Sequence, residues 1–159
     1  MKIQYFLITI LLISNIQQAI ATAVQSEKSI QSEIRQYIAT KLLPDADYTT
    51  KLGQIDSRLQ LPLCPQPLHI FTRNNLIKPG RNSIGVKCNS KKKWIIYTSA
   101  TVSIFKKVVL LRQPIRRGKI FTKNNLYIEK RDISKLRTGY FDDPQLIINK
   151  QPTRNLSMG

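Results

Sequence analysis

Cys64, His69 and Cys88 are the side chains of this 159-residue chain best suited to metal or thiol chemistry. His69 is the only histidine, so the set falls one ligand short of a closed zinc site. A single histidine also disfavours a Ser–His or Cys–His nucleophile pair. An even cysteine count outside the cytoplasm favours a Cys64–Cys88 disulfide; free thiols and a metal site are the alternatives. A cross-link closing a loop of this length contributes about 3 kcal/mol in the chain-entropy model. The adjacent acids Asp142 and Asp143 precede Pro144 and read as a turn and helix cap rather than a catalytic pair. No G-x-S-x-G, P-loop, G-x-G-x-x-G or H-E-x-x-H motif is present. The expectation is a protein that is not an enzyme, with no cofactor and no metal.

The compartment behind the disulfide reading comes from the N-terminus. Lys2 gives a short positive region, Ile3 to Ile13 is uncharged and mostly apolar, and Ala21-Thr22-Ala23 fits an A-x-A cleavage site. Ala19-Ile20-Ala21 is a second option, and an uncleaved anchor is the rival reading. Ser14, Asn15, Gln17 and Gln18 interrupt the apolar run well before the roughly 20 residues that a membrane span needs. Residues 1–23 are therefore expected to be a signal peptide cleaved after Ala23, with the working protein periplasmic and the membrane met only during export.

The formal charge of +17 is unevenly placed. Residues 24–63 hold five basic groups and five acids, whereas residues 64–127 hold 14 basic groups and neither Asp nor Glu. Such a stretch repels itself unless salt or an acidic partner screens it. Export argues against nucleic acid and for acidic protein, anionic lipid or lipopolysaccharide; a merely solvated surface is the bland alternative. Candidate partner-facing cations are Lys91, Lys92, Lys93, Lys106, Lys107, Arg116 and Arg117.

One helix and several strands must position these groups. Ile30, Ile34, Ile38 and Leu42 recur every fourth residue and predict a helix over 28–43, stopped by Leu43-Pro44. Beyond Asp45 the texture is β. The prolines at 62, 65 and 67 forbid a central strand there. Lys78 to Asn82 reads as a turn, Ile84 to Cys88 as a strand, and Lys91 to Lys93 as another turn. Trp94 to Leu111 is β-prone throughout and predicts one long strand or two, with Lys106-Lys107 marking a break or an exposed edge. Gly118 suits a tight turn, Asn124 to Leu126 a single helical turn, Ile128 to Ile133 a short strand, and residues 143–150 a helix opened by Asp143-Pro144. Ile70-Phe71-Thr72-Arg73-Asn74-Asn75-Leu76 returns 50 residues later as Ile120-Phe121-Thr122-Lys123-Asn124-Asn125-Leu126, identical at six of seven positions. Two copies are too few for a repeat architecture. They read as coincidence, or as two turns of similar type.

The run Leu61-Pro62-Leu63-Cys64-Pro65-Gln66-Pro67-Leu68, followed by Gly80-Arg81, Val86-Lys87-Cys88 and Trp94-Ile95-Ile96-Tyr97, resembles the flagellar basal-body P-ring formation proteins, the FlgA family. Pro114 to Ile133 is similar to the start of that family's SAF-type β-clip domain, with Gly118, Phe121, Asn125 and Leu126 at the motif positions. Pro152 to Gly159 resembles the element that follows. The resemblance implies an α+β, mainly β fold: an N-terminal helix packed on a small β domain over 24–107, then a SAF/β-clip domain over 108–159. Family members continue past the point matching Gly159, so an incomplete, C-terminally truncated β-clip domain is expected. The implied role is that of a periplasmic chaperone assisting P-ring assembly, with P-ring subunits as partners and no nucleic acid. A pilus-type SAF assembly factor and a binding module for an envelope polymer are the alternatives.

Overall fold

The computed structural model describes residues 23–159. The signal-peptide reading lies outside the described residues, except at Ala23. No helix among the described residues is long and apolar enough to cross a membrane.

Helix α1, Glu27–Lys41, begins where the Ser26 hydroxyl accepts the Ser29 N–H at 3.1 Å. Glu27 in its first turn and Lys41 in its last complement the helix dipole. Ile30, Ile34 and Ile38 form its buried stripe, and each buried isoleucine contributes about 1.5–3 kcal/mol of apolar transfer. The helix ends at an extended Leu42, just ahead of Pro44.

The stripe docks on an antiparallel sheet of five strands: β1 (Asp47–Leu52), β2 (His69–Phe71), β3 (Gly80–Cys88), β4 (Trp94–Leu111) and β5 (Leu126–Asp132). The order is β1-β4-β3-β2, with β5 paired to the far half of β4. Val102 pairs with both Thr50 and Gly80, and Phe105 with both Asp47 and Asp132. Strand β1 therefore lies on one side of β4, while β3 and β5 follow one another along the other.

Strand β4 is a single element of 18 residues. It is neither broken nor unpaired at Lys106-Lys107, because those residues face Arg131 and Lys130 of β5. The lysines lie between two stretches of the strand that are buried in different clusters. Ala100 and Val102 are fully buried toward α1, together with Ile84 and Val86 of β3. Further along, Leu111 joins a second cluster with Ile115, Phe121, Leu126 and Ile147. Residues of opposite parity point to opposite faces of a strand, so the second cluster lies on the face that α1 leaves open.

Three expectations need correction. Strand β3 starts at Gly80 rather than Ile84, since Asn82 bonds back to Lys78 N and O and merges turn with strand. Strand β5 likewise begins at Leu126, ahead of the expected Ile128. The helix expected over 143–150 is only one 3-10 turn, Pro144–Leu146. Asn149 takes a left-handed φ of 65°, which ends any continuation while Ile147 enters the second cluster. The twin motifs are turns of related type: Asn75 N–H donates to Thr72 O at 3.1 Å, and Asn125 N–H to Thr122 O at 3.0 Å. Their phenylalanines diverge, however, Phe71 to the open face and Phe121 to the second cluster.

Candidate functional site

Strand alternation builds one open face. With α1 covering Ile84, Val86, Ala100 and Val102, the alternate residues Arg81, Ser83, Gly85 and Lys87 of β3, and Ile95, Tyr97, Ser99 and Thr101 of β4, point the other way. The register sets Arg81 opposite Thr101, Ser83 opposite Ser99, and Gly85 opposite Tyr97. From β2, Phe71 lies over Gly85, the only residue type that leaves room for its ring. Phe71 stacks on His69 at 5.6 Å and meets Tyr97 edge-on at 6.1 Å. Tyr97 itself remains 66% exposed. Gly53 N–H donates to Ser99 O at 2.6 Å and brings Gln54 alongside. The result is a shallow cleft of about 610 Å³, with Ser83 and Ser99 as floor and Tyr97, Arg81 and Gln54 among its walls. It can offer an aromatic surface, hydroxyl and amide hydrogen bonds, and a guanidinium, but no acid for proton transfer.

Cys64 and Cys88 are joined in a disulfide with an S–S distance of 2.04 Å, which pins the proline-rich segment to the end of β3. Trp94 Nε1–H donates to Pro62 O at 2.9 Å and reinforces the same junction. With both thiols consumed, neither ligates a metal, and His69 stacks its ring face on Phe71. No group of His, Cys, Asp or Glu among the described residues could hold a metal ion. Asp143 accepts Gln145 N–H at 2.9 Å as a cap, away from any cleft chemistry. Ala23 O accepts Leu63 N–H at 2.9 Å.

The seven candidate cations do not form one patch. Lys91, Lys92 and Lys93 lie at the β3–β4 turn. Lys106 and Lys107 follow on β4 about 40 Å away at the usual strand rise, Lys106 being over the Tyr140 ring at 6.0 Å. Arg116 and Arg117 occupy the turn before Gly118, where Asn155 Oδ1 accepts the Arg117 N–H at 2.9 Å. What the seven share extends to all 14 cations of residues 64–127: each is exposed, and none pairs with a carboxylate among the described residues. The four ion pairs instead use Arg58, Lys130, Arg131 and Lys135. The carboxyls held below their ordinary pKa lie elsewhere too. Asp132 is lowered mainly by the Ser134 hydroxyl, and Asp56 by Arg58. Sequence reading missed Arg81 and Tyr97 as a pair, although the alternation Arg81-Ser83-Gly85-Lys87 against Tyr97-Ser99-Thr101 was there to find.

Two sequence models of one family match consecutive parts of the chain. The FlgA N-terminal domain matches residues 16–104, and the chaperone for flagella basal body P-ring formation matches residues 106–159. The chain belongs to the FlgA family. No curated protein sequence matches it. Among solved structures, Salmonella FlgA in closed form is 22% identical with a TM-score of 0.55, over 82% of this chain and 64% of that one. The open form is 20% identical with a TM-score of 0.54, over 82% and 59%. FlgA from Thermotoga maritima is 17% identical with a TM-score of 0.48, over 85% and 49%. This chain thus spans less than two thirds of each FlgA chain it resembles. At these identities the two Salmonella likenesses concern the fold: mainly β, with one helix on a sheet.

Proposed function

We propose that this FlgA-family chain is a periplasmic chaperone that assists assembly of the flagellar P ring around the rod, binding P-ring subunits without turning anything over. The observation that carries the reading is the pair of family matches, which together run from residue 16 to residue 159 and leave only Phe105 between them. The signal-type N-terminus and the Cys64–Cys88 disulfide support the compartment. The unmatched cations support an acidic protein partner, because charge complementarity steers encounter and suppresses wrong partners. The test is deletion of the gene and complementation with this chain, scoring P rings in isolated basal bodies. Loss of P rings on deletion and their return on complementation are expected; normal P rings in the deletion strain would refute the reading.

A further inference from the structure

We infer that the open face of β3 and β4, around Arg81 and Tyr97, seats an extended acidic segment of the P-ring subunit; this rests on the chaperone reading above. The face differs from the solvated back of an ordinary sheet in three respects. Its aromatic end is built: Phe71 is laid flat on Gly85, and Tyr97 stands beside it with 66% of its surface free. Its charge is one-sided. Arg81 and Lys87 bracket the aromatic end, and both belong to the stretch of 14 cations without an acid. The carboxylates that the register sets on the same face, Asp47 of β1 and Asp132 of β5, both lie opposite Phe105, four positions along β4 from the partner of Arg81, and both are already held, Asp47 by Lys130 and Asp132 by the Ser134 hydroxyl. Its floor, Ser83 and Ser99, is short and hydroxylic, so a main chain can approach and find hydrogen-bond partners.

These features fit one kind of occupant. A carboxylate side chain meets the Arg81 guanidinium, whose fork geometry suits bidentate pairing. An apolar or aromatic side chain a few residues away lies on Tyr97. The backbone between them crosses the two serines. From Arg81 to Lys87 the face runs about 20 Å at strand rise, the length of an extended segment of about six residues.

The test titrates purified P-ring subunit against the full exported chain and three variants: Arg81→Glu, Tyr97→Ala and Ser83→Trp. Ser83→Trp fills the cleft without changing charge, and all three positions are exposed, so folding checked by circular dichroism is expected to be unchanged. Lys28→Glu, an equal change of charge on the exposed side of α1 behind the sheet and outside the acid-free stretch, is the control. Each of the three variants should weaken binding at least about tenfold, and the control less than about threefold. If the unaltered chain binds and the three variants bind equally well, this face is not the seat, although the chaperone reading survives. If the unaltered chain does not bind the subunit, that reading fails and the present one with it. A soluble peptidoglycan fragment that binds in a Tyr97-dependent way, where the subunit does not, would reassign the cleft to a glycan and overturn the proposal.

Discussion

A Cβ built at Gly85 would lie 2.3 Å from the tip of the Phe71 ring, closer than any real contact. Alanine there must swing the ring off the sheet and lose its packing on His69 and Tyr97. Gly85→Ala should therefore destabilise the chain by about 1 kcal/mol, the low end for overpacking. In a Phe71→Ala background the clash is gone, and the same change should be neutral or stabilising, since glycine is a poor strand residue. Urea melts of the two single variants and the double variant read this coupling; additive effects would mean that Phe71 does not rest on Gly85. Lys107 makes a second residue-level case. It faces Lys130 directly across the β4–β5 pair, and like charges in that position are unfavourable. Lys107→Glu should stabilise by a few tenths up to about 1 kcal/mol, with the gain shrinking in high salt. A loss of stability at low salt would show that the pair is already relaxed by Asp47, which binds Lys130.

Among the elements, the junction of the proline-rich segment with β3 and β4 carries a cross-link and the indole of Trp94. Replacing Cys64 and Cys88 together by alanine should cost about 3 kcal/mol, because the open loop regains its unfolded-state entropy. Trp94 is the only tryptophan and reports the change by fluorescence; a loss below about 1 kcal/mol would mean that the Trp94–Pro62 hydrogen bond and packing hold the segment unaided. Legibility in the sequence followed periodicity. Helix α1 could be read because Ile30, Ile34 and Ile38 recur every fourth residue and nothing else competes. Strand β4 could be read as β, but its change of face could not: Trp94, Ile95, Ile96 and Tyr97 are apolar on both faces, so alternation does not say which side is buried. The helix expected after Asp143 failed because a cap and a proline fix only the first turn, while the second cluster takes Ile147 and Asn149 turns left-handed. The cationic surface was legible from composition. Its division into separate groups, and the placing of Arg81 and Tyr97 along one cleft, depend on hairpin register, which composition does not encode.

At the scale of the whole molecule, the 14 exposed cations, none paired with a carboxylate among the described residues, make opposite demands on the free and the bound chain. In the free chain they repel one another, and folding concentrates them on β3, β4 and the turns beside them, so the compact state bears the larger electrostatic cost. Raising sodium chloride from about 0.02 M to about 0.5 M shortens the screening length from roughly 20 Å to roughly 4 Å. The free chain should then gain on the order of 1 kcal/mol, or roughly 3–5 °C in melting temperature for a chain of this size. Binding to the proposed P-ring partner should weaken over the same range, because the attraction that these cations exert on an acidic segment is screened. The two signs together distinguish a surface kept for a partner from one that is only solvated. If salt leaves both melting temperature and affinity unchanged, the cations are spaced too far apart to act as a field. If salt stabilises the free chain but leaves affinity untouched, the charge acts on the fold and plays no part in recognition. Only the opposed responses, measured on one preparation, tie the acid-free stretch to partner capture.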